Sequence, residues 1–180
     1  GRTITVNNGD LLYWTHTSPH SGKFVLGDDS SHDNRLQVIL HKGDLIIDDA
    51  NAVVRHDILF DDAAAAQYVT QTAGDIQNGY WTVDKGTESL VMLSDIYGPF
   101  VGLWHSPGII LDSGKVDVQD FNFDFGSVEQ NAGVFEAGTG WVNITVYTLD
   151  SGDIYGGSGL MTAQYYAHND GTFHPGTGTF

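Results

Sequence analysis

The segment Trp141–Leu149, WVNITVYTL, alternates apolar and polar residues and predicts the clearest strand of the chain. Val142, Ile144 and Val146 share one parity, so on a strand they point to the same face of a sheet, toward a core. Other strand-like segments lie on both sides of it, separated mostly by turns that contain glycine. The pattern therefore predicts a chain built from short strands.

About ten such strands are predicted, at a spacing of about 8–15 residues that is typical of sandwiches and jelly rolls. We expect an all-β fold, a two-sheet sandwich or jelly roll, in a single domain over residues 1–180. Residues 1–8 and 169–180 are expected to be extended terminal segments. One short helix is expected near residues 62–72, because Asp61 and Asp62 can cap the alanine-rich segment and Gly74 can end it.

Two local patterns refine this prediction. The parity of the apolar residues changes between Val118 and Phe121, which predicts a bulge or bend near Gln119. The tetrapeptide LDSG occurs at Leu111–Gly114 and again at Leu149–Gly152. A repeat protein is expected to show more periods than two, so we interpret this similarity as one kind of turn used twice.

The charge of the chain excludes several kinds of partner. It has 23 acidic residues, 20 of them aspartate, and 7 basic residues, for a net charge of −16. This charge repels phosphate backbones and anionic membrane surfaces, so we expect no nucleic-acid partner. No run of about 18 apolar residues is present, so no membrane insertion is expected. Cysteine is absent, which excludes disulfides and thiolate metal sites.

The loop at residues 27–34 is a candidate calcium site. Asp28, Asp29, Ser31 and Asp33 supply oxygen ligands, and alternate positions of a loop can converge on one ion. The glycine and the glutamate that an EF-hand requires are not at their usual positions. The alternative interpretation is a solvated turn.

Histidines suggest a second candidate metal site. His16, His20 and His32 could together bind zinc or copper. On one strand the first two would lie about 13 Å apart, so Pro19 would have to bend the chain before both could reach one ion. The alternative interpretation is a set of exposed loop histidines.

No catalytic pair can be selected from the sequence. Gly157–Gly159 (GSG) lacks the spacing of a nucleophile elbow, and no glutamate stands out as half of a glycosidase pair. Four tryptophans could stack on sugar rings, and the alternative interpretation is core or rim packing: they are Trp14, Trp81, Trp104 and Trp141. Tyr165 and Tyr166 are neighbours, so on a strand one ring points to each face and one of them is expected to be exposed. A calcium-assisted carbohydrate-binding module is therefore the second functional hypothesis, and a small jelly-roll hydrolase or lyase is the third.

The leading hypothesis is a non-enzymatic structural subunit of an extracellular filament or particle surface, which assembles with copies of itself. Both ends of the chain offer weakly charged, strand-like segments that could pair with another subunit. The chain does not begin with Met, which favours a processed or trimmed form. The candidate assembly residues are Ile4, Val6, Phe173 and Phe180.

Overall fold

The computed structural model describes residues 3–6, 12–14, 24–26, 37–40, 43–48, 50, 52–55, 57–98 and 106–179. These residues form eighteen strands and no helix. The strands are Thr3–Val6 (β1), Leu12–Trp14 (β2), Phe24–Leu26 (β3), Gln37–Leu40 (β4), Leu45–Ile47 (β5), Ala52–Arg55 (β6), Asp57–Phe60 (β7), Gln67–Gln71 (β8), Asp75–Asn78 (β9), Tyr80–Met92 (β10), Ile96–Gly98 (β11), Gly108–Asp117 (β12), Phe123–Gln130 (β13), Val134–Glu136 (β14), Val142–Leu149 (β15), Asp153–Tyr155 (β16), Met161–His168 (β17) and Thr172–His174 (β18).

The fold is a parallel β-solenoid, in which every described strand pair is parallel and joins strands one turn apart; β3, β6 and β9 form a separate three-stranded sheet. The first face stacks β1, β4, β7, the first parts of β10 and β12, and the last parts of β13, β15 and β17. The second face stacks β2, β5, β8, the second parts of β10 and β12, and then β14, β16 and β18. The third face consists of β3, β6 and β9, followed by β11 and the first parts of β13, β15 and β17.

The prediction of a sandwich or jelly roll was therefore wrong, although the all-β class is confirmed. Alternation of apolar and polar residues shows that a strand has one buried face, but it does not show which strand lies beside it. In a sandwich or jelly roll, the glycine-containing turns would reverse the chain between antiparallel strands. In the structure, such turns are corners: Gly114 and Gly133 adopt positive φ where the chain passes from the first face to the second.

The last turns are regular. Phe123 pairs with Val142 and Val142 with Met161, and side chains bonded between these turns are 19 residues apart in sequence. The two LDSG tetrapeptides thus belong to a true structural repeat and lie two turns apart. The bend predicted near Gln119 is confirmed, because the chain turns there between β12 and β13.

The core is a set of apolar columns along the solenoid axis. On the first face, the inward residues of successive turns lie one above another, and almost all of them are fully buried. Burying one large apolar side chain stabilises the fold by about 1.5–3 kcal/mol. The two columns on this face are Ile58–Trp81–Ile109–Val128–Tyr147 and Phe60–Val83–Leu111–Gln130–Leu149.

The prediction of a short helix near residues 62–72 is also wrong. Asp62 does accept a bond from the backbone of Ala64, at 3.0 Å, but the chain makes only a turn there and then enters β8. Gln67 and Val69 are buried in that strand, and Val69 pairs with Leu45. A short helix has little stability of its own in water, so the burial of Gln67 and Val69 in the stack of strands decides the structure of this segment.

A buried lysine fixes this turn to the body of the solenoid. The Lys85 Nζ donates to the carbonyl oxygens of Asp62 at 2.7 Å and Ala65 at 3.0 Å, and to the Gln67 Oε1 at 2.9 Å. The side chain is fully buried, and this burial lowers the pKa of Lys85 below 10.5, although nearby acidic residues act in the opposite direction.

Candidate assembly edge

Among the strands that the structure describes, the stack ends at β17 on the first face and at β18 on the second. The last strand of such a stack presents backbone N–H and C=O groups on which another strand can pair. On the third face the structure continues this edge only by a bridge, in which the Met161 N–H donates to the Thr179 carbonyl at 2.8 Å. The last turn is therefore the candidate site for addition of a further strand layer.

The inward columns of the first face remain partly uncovered at this edge. Tyr147 and Leu149 are fully buried, whereas Tyr166 and His168, which follow them in the same columns, are exposed. The Tyr166 side chain is 37% exposed although it occupies a core position. Partial burial raises the pKa of Tyr166 above 10.0, so its hydroxyl stays protonated to a higher pH than that of an exposed tyrosine.

Aromatic rings connect the interior to this edge. Each ring contacts the next with centroids 5.1–6.1 Å apart, in the tilted, stacked and edge-to-face geometries that favour aromatic pairs. The series ends with Tyr166, whose ring lies 5.9 Å from that of His168. In order, the rings are Phe60, Trp81, Phe125, Phe123, Phe135, Tyr147, Tyr166 and His168.

The edge carries little charge for a chain of net charge −16. The sequence of β17, MTAQYYAH, contains no carboxylate, lysine or proline. Lysine and proline are the residues that most often protect edge strands from pairing. The second face has more charge at this end: the His174 Nε2 lies 2.9 Å from the Asp153 Oδ1, and its ring stacks on Tyr155 with centroids 4.4 Å apart.

The opposite end of the first face begins at β1, which pairs with β4. By register, Ile4 belongs to the column that ends at Tyr166, and Val6 belongs to the column that ends at His168. The two predicted assembly residues near the start of the chain therefore occupy the first positions of the columns that are uncovered at the other end.

The other predicted residues fall in different places. Phe173 lies in β18, pairs with Ile154 and packs partly buried against the core. Phe180 lies outside the described residues. The candidate calcium ligands Asp28, Asp29, Ser31 and Asp33, and the histidines His16, His20 and His32, also lie outside the described residues. Within the described part of the chain, no three His, Asp or Glu side chains cluster closely enough to bind a metal ion.

Sequence reasoning identified the two faces of the tyrosine pair but not the role of Tyr166. As predicted, the two rings lie on opposite faces: Tyr165 points outward and is 68% exposed, whereas Tyr166 lies in the inward column. The signal for the edge was the 19-residue spacing, which places Tyr166 after Tyr147 and His168 after Leu149.

Comparisons of the chain with protein-family models, with curated proteins and with solved structures find no match. In the part of the chain that the structure describes, there is no helix of the length and apolarity needed to cross a membrane.

Proposed function

We propose that the protein is a structural subunit that assembles head to tail along the solenoid axis, as in a filament or surface layer outside the cell. In this arrangement, β1 of the next copy adds in parallel to β17 of the copy before it. The observation that carries the proposal is the exposure of Tyr166 and His168 at core positions in the last turn.

Register supports a second copy as the occupant of this edge. Head-to-tail contact places Ile4 of the next copy above Tyr166 and Val6 above His168, so both columns continue across the junction. Backbone pairing between the added strands supplies hydrogen bonds, and the apolar columns supply specificity of register. The two contacting surfaces differ, and each added copy continues the same solenoid axis, so the contact repeats along that axis and generates a filament.

Electrostatics sets the conditions for assembly. Copies with a net charge of −16 repel each other at long range. The strands that meet carry no carboxylate, since β1 reads TITV and β17 reads MTAQYYAH. Salt screens the long-range repulsion over about 10 Å at 0.1 M ionic strength, while the apolar contact is retained. Assembly is therefore expected to increase with ionic strength.

The test measures the mass of the whole chain by sedimentation and light scattering, over a wide concentration range and at low and high salt. The expected mass rises with concentration and more steeply at high salt. Tyr166→Lys places a charge inside the junction and should leave the protein monomeric. Tyr165→Lys is the matched control for the head-to-tail junction, because the side chain of this neighbouring residue points outward, and this variant should still assemble head to tail.

Circular dichroism checks that both variants keep the β-rich spectrum of the parent chain. A parent protein that stays monomeric under all these conditions overturns the proposal. Equal assembly of the Tyr166→Lys and Tyr165→Lys variants also overturns it, because the edge would then not be the contact.

A further inference from the structure

From β10 to β17, the outer surface of the first face carries less charge than the outer surface of the second face. Between Tyr80 and Ala167 its outward residues form two columns, and only Glu129 among them carries a charge. The columns are Tyr80–Gly108–Ser127–Val146–Tyr165 and Thr82–Ile110–Glu129–Thr148–Ala167, which together we call the neutral strip.

The corresponding columns of the second face are much more charged. They contain Lys115, Asp117, Glu136 and Asp153, together with His174. The Lys115 Nζ bridges Asp117 at 2.7 Å and Glu136 at 3.0 Å. Two copies of an acidic protein meet with the least like-charge repulsion where each presents its least charged surface.

The neutral strip is also shaped for contact with another sheet. Any side chain at Gly108 would collide with Tyr80, because a Cβ there would lie 2.7 Å from two of its ring carbons. The ring of Tyr80 therefore lies across the neighbouring strand and does not stand out from the sheet. Two sheets pack face to face at about 10 Å when their outward side chains are small enough to interdigitate.

We infer that the neutral strip is a lateral contact between copies of this chain, through which assembled rods pack side by side. The inference rests on the proposed head-to-tail assembly. One strip covers five strands about 4.8 Å apart and is about 10 Å wide, an area of about 240 Å², which is far less than the roughly 800 Å² per partner of a specific protein interface. Single copies therefore do not pair through it. A rod presents one strip per copy on the same side, each separated from the next by β1, β4 and β7, and the contacts of these strips add.

Acidic residues border the strip on one side and set its response to salt. Asp84, Asp112 and Asp150 lie at the corner where the first face ends. At this rim they remain in water, where their repulsion is screened by salt. Lateral packing is therefore expected to increase with ionic strength.

The experiment separates the two contacts by measuring two quantities on the same samples. Rod length by electron microscopy reports head-to-tail assembly, and rod width by electron microscopy and small-angle scattering reports lateral packing. Val146→Lys places a charge at an outward position of the neutral strip, and it should keep rods but reduce them to single-rod width. Val134→Lys is the matched control, because Val134 lies in an outward column of the second face, and its rods should keep the width of the parent's.

Parent rods that are always of single width overturn the lateral contact and leave the head-to-tail proposal standing. Val146→Lys rods as wide as those of the parent also overturn it. Absence of any rods overturns the proposed function and, with it, this inference.

Discussion

The hydroxyl of Tyr147 donates a hydrogen bond of 2.6 Å to the side-chain oxygen of Gln130, and both side chains are fully buried in the core. The Gln130 amide in turn donates to the carbonyls of Gly133 at 3.0 Å and Asp153 at 3.1 Å. Gln130 thus occupies a position that leucine occupies in the two neighbouring turns. It can do so because its side-chain oxygen and its amide nitrogen both have hydrogen-bond partners. The same burial raises the pKa of Tyr147 well above 10.0.

Removal of this hydroxyl should therefore be costly. Tyr147→Phe leaves the Gln130 oxygen without its donor in the core, and the free energy of unfolding should fall by about 1–3 kcal/mol. Urea denaturation measures the change. Tyr155→Phe is the control. It also removes one hydroxyl, but the Tyr155 side chain is 42% exposed, so the free energy of unfolding should change little. Equal effects of the two substitutions would contradict the prediction.

The lowered pKa of Lys85 predicts how the free energy of unfolding changes with pH. Its folded-state pKa is lowered by burial, so between that pKa and 10.5 the unfolded chain binds more protons than the folded chain. Stability due to this group therefore rises with pH across that window. Compared with Lys85→Met, the parent should gain free energy of unfolding as the pH is raised from neutral toward 10.5.

Lys115 provides a control of opposite sign. Its pKa is raised by hydrogen bonds and ion pairs with Asp117 and Glu136, which outweigh its desolvation. The stability it contributes is fully present below 10.5 and is lost only as the pH rises through its folded-state pKa. The difference between the parent and Lys115→Met should thus stay constant over the same range. A Lys85 difference that is flat or falls with pH would contradict the prediction.

The strands could be predicted from sequence, but their arrangement could not. Alternating patterns are the same in a sandwich and in a solenoid, since both bury one face of each strand. The repeat is hard to recognise in the sequence because the copy between the two LDSG segments, Gln130–Gly133, reads QNAG. A comparison of residue types does not show that glutamine can replace leucine when a tyrosine on the next turn supplies its partner.

The candidate edge was predicted only in part. The choice of Ile4 and Val6 rests on the lack of charge in the first strand, and their part in assembly stays a prediction; the backbone register places them at the start of two columns. Tyr166 was assigned to one face of a strand correctly, but its position at the end of a stack depends on which strands are neighbours. That information is not local in the sequence, and so the edge itself could not be predicted.

One corner of the chain recurs in successive turns with the same left-handed backbone conformation, which predicts a loss of stability when its glycine is replaced. Gln119, Gly138 and Gly157 occupy equivalent corners with φ of 60°, 70° and 64°. At Gly157 a Cβ would lie 1.8 Å from the carbonyl oxygen of Gly138, so Gly157→Ala combines a backbone clash with an unfavourable φ. We expect a loss of more than about 2 kcal/mol, measured as a lower midpoint in urea.

Gln119→Gly is the reciprocal substitution at the first of these corners. The left-handed conformation costs a non-glycine residue about 1–2 kcal/mol, and glycine loses about 0.5–1 kcal/mol through its greater entropy when unfolded. The variant should therefore be as stable as the parent or up to about 1 kcal/mol more stable. A clear loss of stability at Gln119 and none at Gly157 would show that the corners are not equivalent.

A ladder of side chains on the third face allows a test of the register itself. The Asn143 Nδ2 donates to the Asp124 Oδ1 at 2.8 Å, and the Thr162 hydroxyl donates to the Asn143 Oδ1 at 2.9 Å. Asn143→Asp replaces the amide donor with a second carboxylate next to Asp124. At neutral pH the free energy of unfolding should fall by about 1–3 kcal/mol, from the lost bond and the like-charge contact.

Acid should reverse much of this loss. Two adjacent carboxylates raise the folded-state pKa of the pair, so the folded variant binds a proton more readily than the unfolded chain does. Its stability relative to the parent therefore improves as the pH falls through that raised pKa, because one protonated carboxyl can again donate to the other. The double variant Asp124→Asn with Asn143→Asp exchanges donor and acceptor and should recover the parent stability at neutral pH. If instead the double variant is no more stable than Asn143→Asp alone, these two residues are not neighbours and the 19-residue register of the last turns is incorrect.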